Sequence, residues 1–444
     1  MEEKVLQVGY HHMKVTPPMG VDIPGYYNVR LSDGIINDLY IRAAAFFDGE
    51  KKAIIFSCDS IGMRTNAFKI LKKMIAERCQ ISEDSIYITC THSHTSYRIT
   101  VPTEAYDAND IFLHRLFQQF CDCAQFAFEN LKPATMKIAS GSVQGVGFIR
   151  RFRMKDGSCR TNPGVGNPDV VGYIGQQDES VQLVRILREG GKEILFVNFG
   201  THADVIGGNK YCTDWPGYLV ETVTGAMNNE VEVMVLVGAE GDSNHVNVFR
   251  PKGTKNKGVN ISQRMARIIS GEVLKIYDSA KDVDCSKIEY FVKPVKIGKN
   301  PYDPADVPEA REVMRIHLEK GLEAKEELKK YRVSVPLAER ILENLDRPEF
   351  FELQVSALQI GNIAFVGVPG EPFTSIGTTI KENSKMDMTV FTCLTNGGDG
   401  YFPDAVAFSE AGYERTASPF AHDCAQILID AGNEAINEMV KVEE

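Results

Sequence analysis

The sequence predicts an α/β protein in which a mixed β-sheet is covered by helices. Three observations predict it. Strand-length apolar runs (Ala53-Ile54-Ile55-Phe56, Ile86-Tyr87-Ile88, Ile194-Leu195-Phe196-Val197, Val231 to Val237) alternate with segments whose apolar residues recur at helical spacing. Several of those runs are apolar throughout, as strands buried on both faces must be. Hairpin-like pairs also occur, so parallel and antiparallel pairing should mix.

Taken in order, residues 35–59 read as two strands joined by the turn Asp48-Gly49-Glu50. A helix follows at 64–79, with Phe68, Ile70, Leu71, Met74 and Ile75 at helical spacing. Next comes the strand Ile86 to Cys90. Residues 108–131 read as a helix and 135–148 as strands. The stretch 149–180 is rich in Gly, Pro, Asn and Arg and reads as a long loop, a length that usually serves a site. A hairpin over 180–200, a helix at 215–229, a strand at 231–237 and a helix at 258–279 come next. From about 304 to 346 the chain is highly charged and helical, as an insertion would be. Paired strands at 352–360 and 362–368, the turn Pro369-Gly370-Glu371, a helix, a strand at 389–394 and a closing helix near 418–441 complete the chain. No internal repeat divides it, so 1–444 is expected to be one catalytic domain carrying the 304–346 insertion.

The 444 residues are 43% hydrophobic and 25% charged, ordinary values for a globular protein. A formal charge of −11 argues against a nucleic-acid partner, which needs a basic face. No apolar stretch approaches the roughly 18 residues needed to cross a bilayer, and Met1-Glu2-Glu3-Lys4 opens no secretion signal. The ten cysteines are scattered, and Cys121 and Cys123 have no second pair to make a zinc knuckle. Reduced thiols and a cytoplasmic location are the expectation. Homo-oligomerisation stays open.

Polar residues repeatedly follow the buried strands: Asp59, His92 and His94, His202 and Asp204, Asp242 to His245, Glu371, and Asp399 to Tyr401. Ligands of open α/β sheets bind outside the carboxyl ends of the strands. His92 and His94, two apart at a strand end, should share one side of an extended backbone. Two histidines, a carboxylate and one further oxygen suit zinc with a position left for water, although manganese or iron could use the same donors. Taken singly, each candidate has a plainer reading: a hydrogen-bonded strand-end histidine, a turn at Glu371, packing at Tyr401. Ser243 beside His245 lacks the pattern of a serine nucleophile. His11 and His12 read as surface or rim residues outside a strand end, and His114, His317 and His422 as structural residues on helices.

As an ordered set, these segments resemble the catalytic domain of the neutral (alkaline, non-lysosomal) ceramidases, zinc amidases of N-acylsphingosines. The resemblance rests on Gly34 to Ala43, Thr91-His92-Ser93-His94, Asn198 to His202, Asp214-Trp215-Pro216-Gly217, Pro369-Gly370-Glu371 and Asn396 to Pro403. It implies His92, His202, Glu371 and Tyr401 as zinc ligands. His94 would then face the substrate carbonyl, and Arg150, with Arg151 beside it, would bind a polar part of the substrate. Where that family has Gly-Asp-x-Ser-Pro, this chain has Gly241-Asp242-Ser243-Asn244-His245, so Asn244 stands for the family's serine and His245 adds a titratable group. The catalytic candidates are therefore His94, Asp242, Asn244 and His245. Ceramidases also carry an immunoglobulin-like domain after the catalytic one, and this sequence stops before it. The expected activity is zinc-dependent hydrolysis of an amide on a small polar or amino-sugar-like molecule. Alternatives are a metal-dependent ester or glycoside hydrolase or lyase on the same scaffold, and a non-catalytic ligand-binding homologue.

Overall fold

In the computed structural model, which describes residues 5–410 and 412–441, the expected mixed sheet is present with helices covering it. Its spatial order runs Val231–Val237, Glu193–Phe199, Ser180–Arg188, Lys132–Ser142, Gln7–Lys14, Tyr40–Phe47, Lys52–Cys58, Ile86–Cys90, with Lys281–Val283 also paired to Lys132–Ser142. The two end pairs are parallel and the pairings between them antiparallel. Strands 40–47 and 52–58 are buried on both faces, which is why their sequences do not alternate. One face, with Ile41, Phe56, Ile88, Val197 and Val235, packs on helices Thr65–Cys79, Ala108–Glu129, Asp214–Ala226 and Val259–Tyr277.

The opposite face packs on a second sheet that the sequence only half discloses. Phe46, Ile55, Tyr87, Phe196 and Met234 meet Leu358, Phe365 and Val390. The second sheet runs Ile288–Gly298, Phe350–Ile360, Ile363–Gly367, Met388–Thr392. Its outer face is closed by Ile376 and Ile380 of helix Thr374–Asn383 and by Leu428 and Ala435 of helix Cys424–Val440. The protein is thus four layers deep: helices, sheet, sheet, helices. Strand 288–298 escaped prediction because its apolar positions are interrupted by Lys293, Pro294 and Lys296. It pairs along its whole length with 350–360, so the charged helices Val307–Lys320, Lys325–Leu328 and Val335–Leu345 sit between the two arms of one hairpin. They carry their own small core of Ala310, Val313, Val333, Ala338 and Ile341.

The expected long loop at 149–180 carries a small three-stranded sheet, Arg151–Met154 flanked by Cys159–Thr161 and Val170–Tyr173. These strands are three or four residues long, too short for an alternation such as that of Phe152 and Met154 to mark them. Their turn is marked: Gly157 adopts φ +80°, and Asp156 Oδ1 accepts from the Ser158 amide at 2.9 Å. His11 and His12 lie in the middle of strand Gln7–Lys14, away from a strand end, and His422 lies just before the last helix rather than on it. Among the described residues no helix is long and apolar enough to cross a membrane.

The large sheet also curls until its two ends meet. Ser57 Oγ donates to the Val235 carbonyl at 2.6 Å. The segment after strand 388–392 stitches the seam: the Cys393 amide donates to Val237 O (3.1 Å) and the Asn396 amide to Ile88 O (2.8 Å). Strands far apart in the hydrogen-bonded order therefore deliver their carboxyl ends to one place.

Candidate metal centre

Four loops converge where the sheet ends meet. The Thr91 amide donates to Cys58 O (2.9 Å) and the His92 amide to Ser60 O (3.0 Å). His92 leaves the strand in a left-handed conformation, φ 60°, which costs a non-glycine residue about 1–3 kcal/mol. His92 and His94 thus meet through a turn, not through the period of an extended strand. The His94 amide donates to Ala203 O (3.0 Å), the His202 amide to Ser243 O (3.2 Å), and the Gly241 amide to Pro372 O (2.8 Å). At Gly241 a Cβ would lie 2.4 Å from the Glu371 carbonyl, so only glycine permits that approach. Glu371 and Tyr401 are register partners in a short parallel ladder.

The result is a buried cluster. His92 Nε2 lies 3.5 Å and His202 Nε2 3.4 Å from Glu371 Oε2. His94 Nε2 lies 3.2 Å from His92 Nε2. The Tyr401 ring stacks on the His202 imidazole, centroids 6.4 Å apart and planes 13° from parallel. His92 Nδ1 is 2.7 Å from Ile61 O and His202 Nδ1 2.8 Å from Glu240 O. In the neutral imidazoles those carbonyls favour the proton on Nδ1, the tautomer that turns Nε2 toward Glu371 as a ligand atom. The Glu371 Oε2 atom is buried and has no hydrogen-bond donor. Around an ion bound at about 2.0–2.1 Å, tetrahedral ligands stand roughly 3.3–3.4 Å apart. The observed spacings fit, and the cluster can hold a metal ion.

The electrostatics follow from the protein's own charges. Burial would push the Glu371 carboxyl up, but the His92 and His202 imidazoles hold it well below the usual carboxylate range. Burial would push His202 down, but the Glu240 carboxylate against Nδ1 prevails and holds it at about 9. His94 is driven well below its usual value by burial, against the pull of Asp204. Burial, with the Glu371 charge, raises the Tyr401 phenol, and Arg150 opposes the rise.

The remaining sequence candidates lie close by but not together. Arg150 is buried behind Tyr401: Nε pairs with Glu414 at 2.8 Å, one amine donates to Gly241 O at 2.7 Å, and another lies 3.3 Å from His202 Nε2. Arg151 packs between Phe373 and the Glu410 and Glu414 carboxylates. The Asp242 carboxylate accepts from the Thr374 amide (2.7 Å) and hydroxyl (3.1 Å) at the start of helix 374–383, and burial pushes it up to about 7. The Asn244 amide group donates to Asn162 (2.9 Å), and its oxygen accepts from the Val246 amide (2.9 Å). His245 is buried, which pushes it down to about 4. None of these five lines the cavity that opens onto the cluster. That cavity, of about 230 Å³, is lined instead by His92, His94, Glu371 and Tyr401, with Arg64 and Arg98 among its other walls.

Sequence reasoning missed two residues behind the cluster. Glu240 is fully buried and its carboxylate meets His202. Its signal was an isolated acid between Ala239 and Gly241, directly after an apolar strand. Asp214, φ 54°, accepts from the amides of Val205 (2.8 Å), Ile206 (3.0 Å) and Trp215 (2.7 Å) and from Ser262 Oγ (2.6 Å). It thereby ties down the loop after His202. Asp214→Ala leaves those donors buried and unpaired, at about 1–3 kcal/mol each. The expected loss of stability is at least about 3 kcal/mol, read from urea unfolding, and a variant within about 1 kcal/mol of wild type would refute that role.

No protein-family model and no curated protein matches the chain. Two solved structures do resemble it. A neutral ceramidase from Pseudomonas aeruginosa superposes with a TM-score of 0.72 at 12% identity, over 99% of this chain and 75% of that one. A ceramidase complexed with C2 gives a TM-score of 0.72 at 11% identity, over 99% and 76%. By its fold the chain is a mixed α/β protein with a buried cluster able to hold a metal. More particularly, it folds as a neutral ceramidase-like domain.

Proposed function

We propose that this chain is a zinc-dependent hydrolase that cleaves the amide bond of a small polar substrate. The observation that supports this best is the convergence of two imidazole Nε2 atoms on one Glu371 carboxylate oxygen, beside a cavity that His92 and Glu371 line. His92, His202, Glu371 and Tyr401 would hold the zinc. When bound there, zinc ionises a water near neutral pH and polarises a carbonyl.

The chain's own residues do the rest. His94, neutral through burial, presents Nε2 beside His92 and can donate to the oxygen on which charge develops. Arg150 stands 5.3 Å from the Tyr401 ring centroid and favours the phenolate. It acts from behind the tyrosine, and this reading gives Arg151, Asp242 and Asn244 structural work rather than contact with substrate. Water adds across the amide, yielding a carboxylate and an amine. Ligand pockets usually measure about 300–1,000 Å³, so a cavity of about 230 Å³ favours a short acyl group. We read the chain as one catalytic domain with the 304–346 helices inserted, and place it in the cytoplasm, since all ten cysteines are thiols.

The test is metal content by plasma mass spectrometry, followed by matched chromogenic amides, esters and glycosides. About one zinc per chain with turnover of amides supports the proposal. No stoichiometric metal, even after incubation, sinks it. Turnover of esters or glycosides alone moves the assignment to that bond, and binding without turnover to a ligand-binding role.

A further inference from the structure

The cavity that opens onto the cluster is also lined by Arg64 and Arg98, which among the described residues make no ion pair at contact distance with its acids. Arg98 opens a short parallel ladder with Gly62–Met63, and the Arg64 amide donates to Ile99 O at 2.9 Å. The same segment presents Ile61 O to His92, so both arginines are fixed relative to the cluster. Arg98 Nε is buried with no hydrogen-bond partner. Burial, then Arg64, depresses the Arg98 guanidinium, which also feels the Glu371 charge.

The acids of the same cavity act on the two arginines from beyond contact distance, and their closest partners lie elsewhere. Asp399 accepts from Thr65 Oγ1, and Glu343 pairs with Arg347 at 3.1 Å. Burial and Glu343 raise the Glu339 carboxyl on the inserted helix, against the pull of His317, Arg64 and Arg98. Arg64 is moreover the N-cap of helix Thr65–Cys79, whose first turn has no acid. A cation at that end opposes the helix dipole. An anion between them would accept charge-assisted hydrogen bonds from both half-buried guanidinium groups and would complement the helix dipole.

We infer that the substrate carries an anionic group, a carboxylate, phosphate or sulfate, seated between Arg64 and Arg98 while its amide faces His94 and Glu371. The inference rests on the amide-hydrolase reading for its second half only. Inorganic phosphate titrated calorimetrically into zinc-loaded protein is the first probe, with R64Q, R98Q, R98K and the R64Q/R98Q double variant beside wild type. The expected result is at least about tenfold weaker binding in the double variant, from loss of charge-assisted hydrogen bonds, with R98K intermediate and zinc content unchanged. Equal binding in all variants, as for phosphate held by the metal alone, overturns the inference, as does no binding to wild type. R98K also covers a failure of the glutamine variants to fold. The second probe is a pair of amide substrates differing only in a carboxylate against its carboxamide. The acid should show the higher kcat/KM in wild type, and the preference should vanish in R64Q/R98Q. Arginine-dependent phosphate binding without any amide turnover would leave the anion site standing and remove the amidase.

Discussion

His202→Ala is expected to purify without zinc and to lose at least about a thousandfold in amide turnover. His202 Nε2 is 3.4 Å from Glu371 Oε2, and its ring lies 4.7 Å, centroid to centroid, from that of His92. Removing it breaks the donor set. A metal supplies several kcal/mol of charge stabilisation, and about 4 kcal/mol corresponds to a factor of roughly 10³ in rate. The substitution also removes the ion-pair partner of the Glu240 carboxylate, which is fully buried. An uncompensated buried charge costs about 3–5 kcal/mol, so unfolding must be measured on the same samples. Glu371→Gln separates the two effects, since it keeps the volume and leaves His202 on Glu240. It should lose zinc with a far smaller change in melting temperature. A folded His202→Ala protein that retains one zinc per chain would remove His202 from the ligand set.

Glu240→Gln should weaken zinc binding about 10- to 100-fold, the usual effect of removing a carboxylate behind a metal-bound histidine. The glutamine fills the same space but carries no charge toward His202 Nδ1. The imidazole then has only the Glu240 carbonyl, 2.8 Å from Nδ1, to orient it. Competition against a chelator of known affinity gives the ratio of dissociation constants. Restoring the charge with Asp in place of Glu240, one methylene short, should recover part of the loss. An unchanged dissociation constant in Glu240→Gln would assign Glu240 to stability alone.

Much of this protein was legible from its residues because burial leaves a chemical trace. Helix 65–79, strand 86–90 and hairpin 180–199 follow from apolar spacing. His92, His202 and Glu371 stood out as members of an ordered set that resembles a known family, since each taken alone has a plain structural reading. Strand 288–298 was hidden because charged residues interrupt it, and the sheet at 151–173 because its strands are short, and their order comes from partners distant in sequence. Asp242 and Asn244 stood among the catalytic candidates through the resemblance of Gly241 to His245 to a family segment, and a sequence match says nothing of side-chain direction. Their hydrogen bonds to Thr374 and Asn162 could not be foreseen.

By itself the sequence determined which segments are strands and helices buried in a core, and which polar residues stand at their ends. Both depend on local spacing and on the cost of exposing apolar surface. Only the tertiary structure decided that those ends meet. The curled sheet closes at Ser57 and Val235, the second sheet sets Glu371 opposite Tyr401, and a left-handed turn at His92 brings His94 alongside it. Each of these is a long-range hydrogen bond or a backbone strain repaid by distant partners, and no local pattern in the chain encodes it.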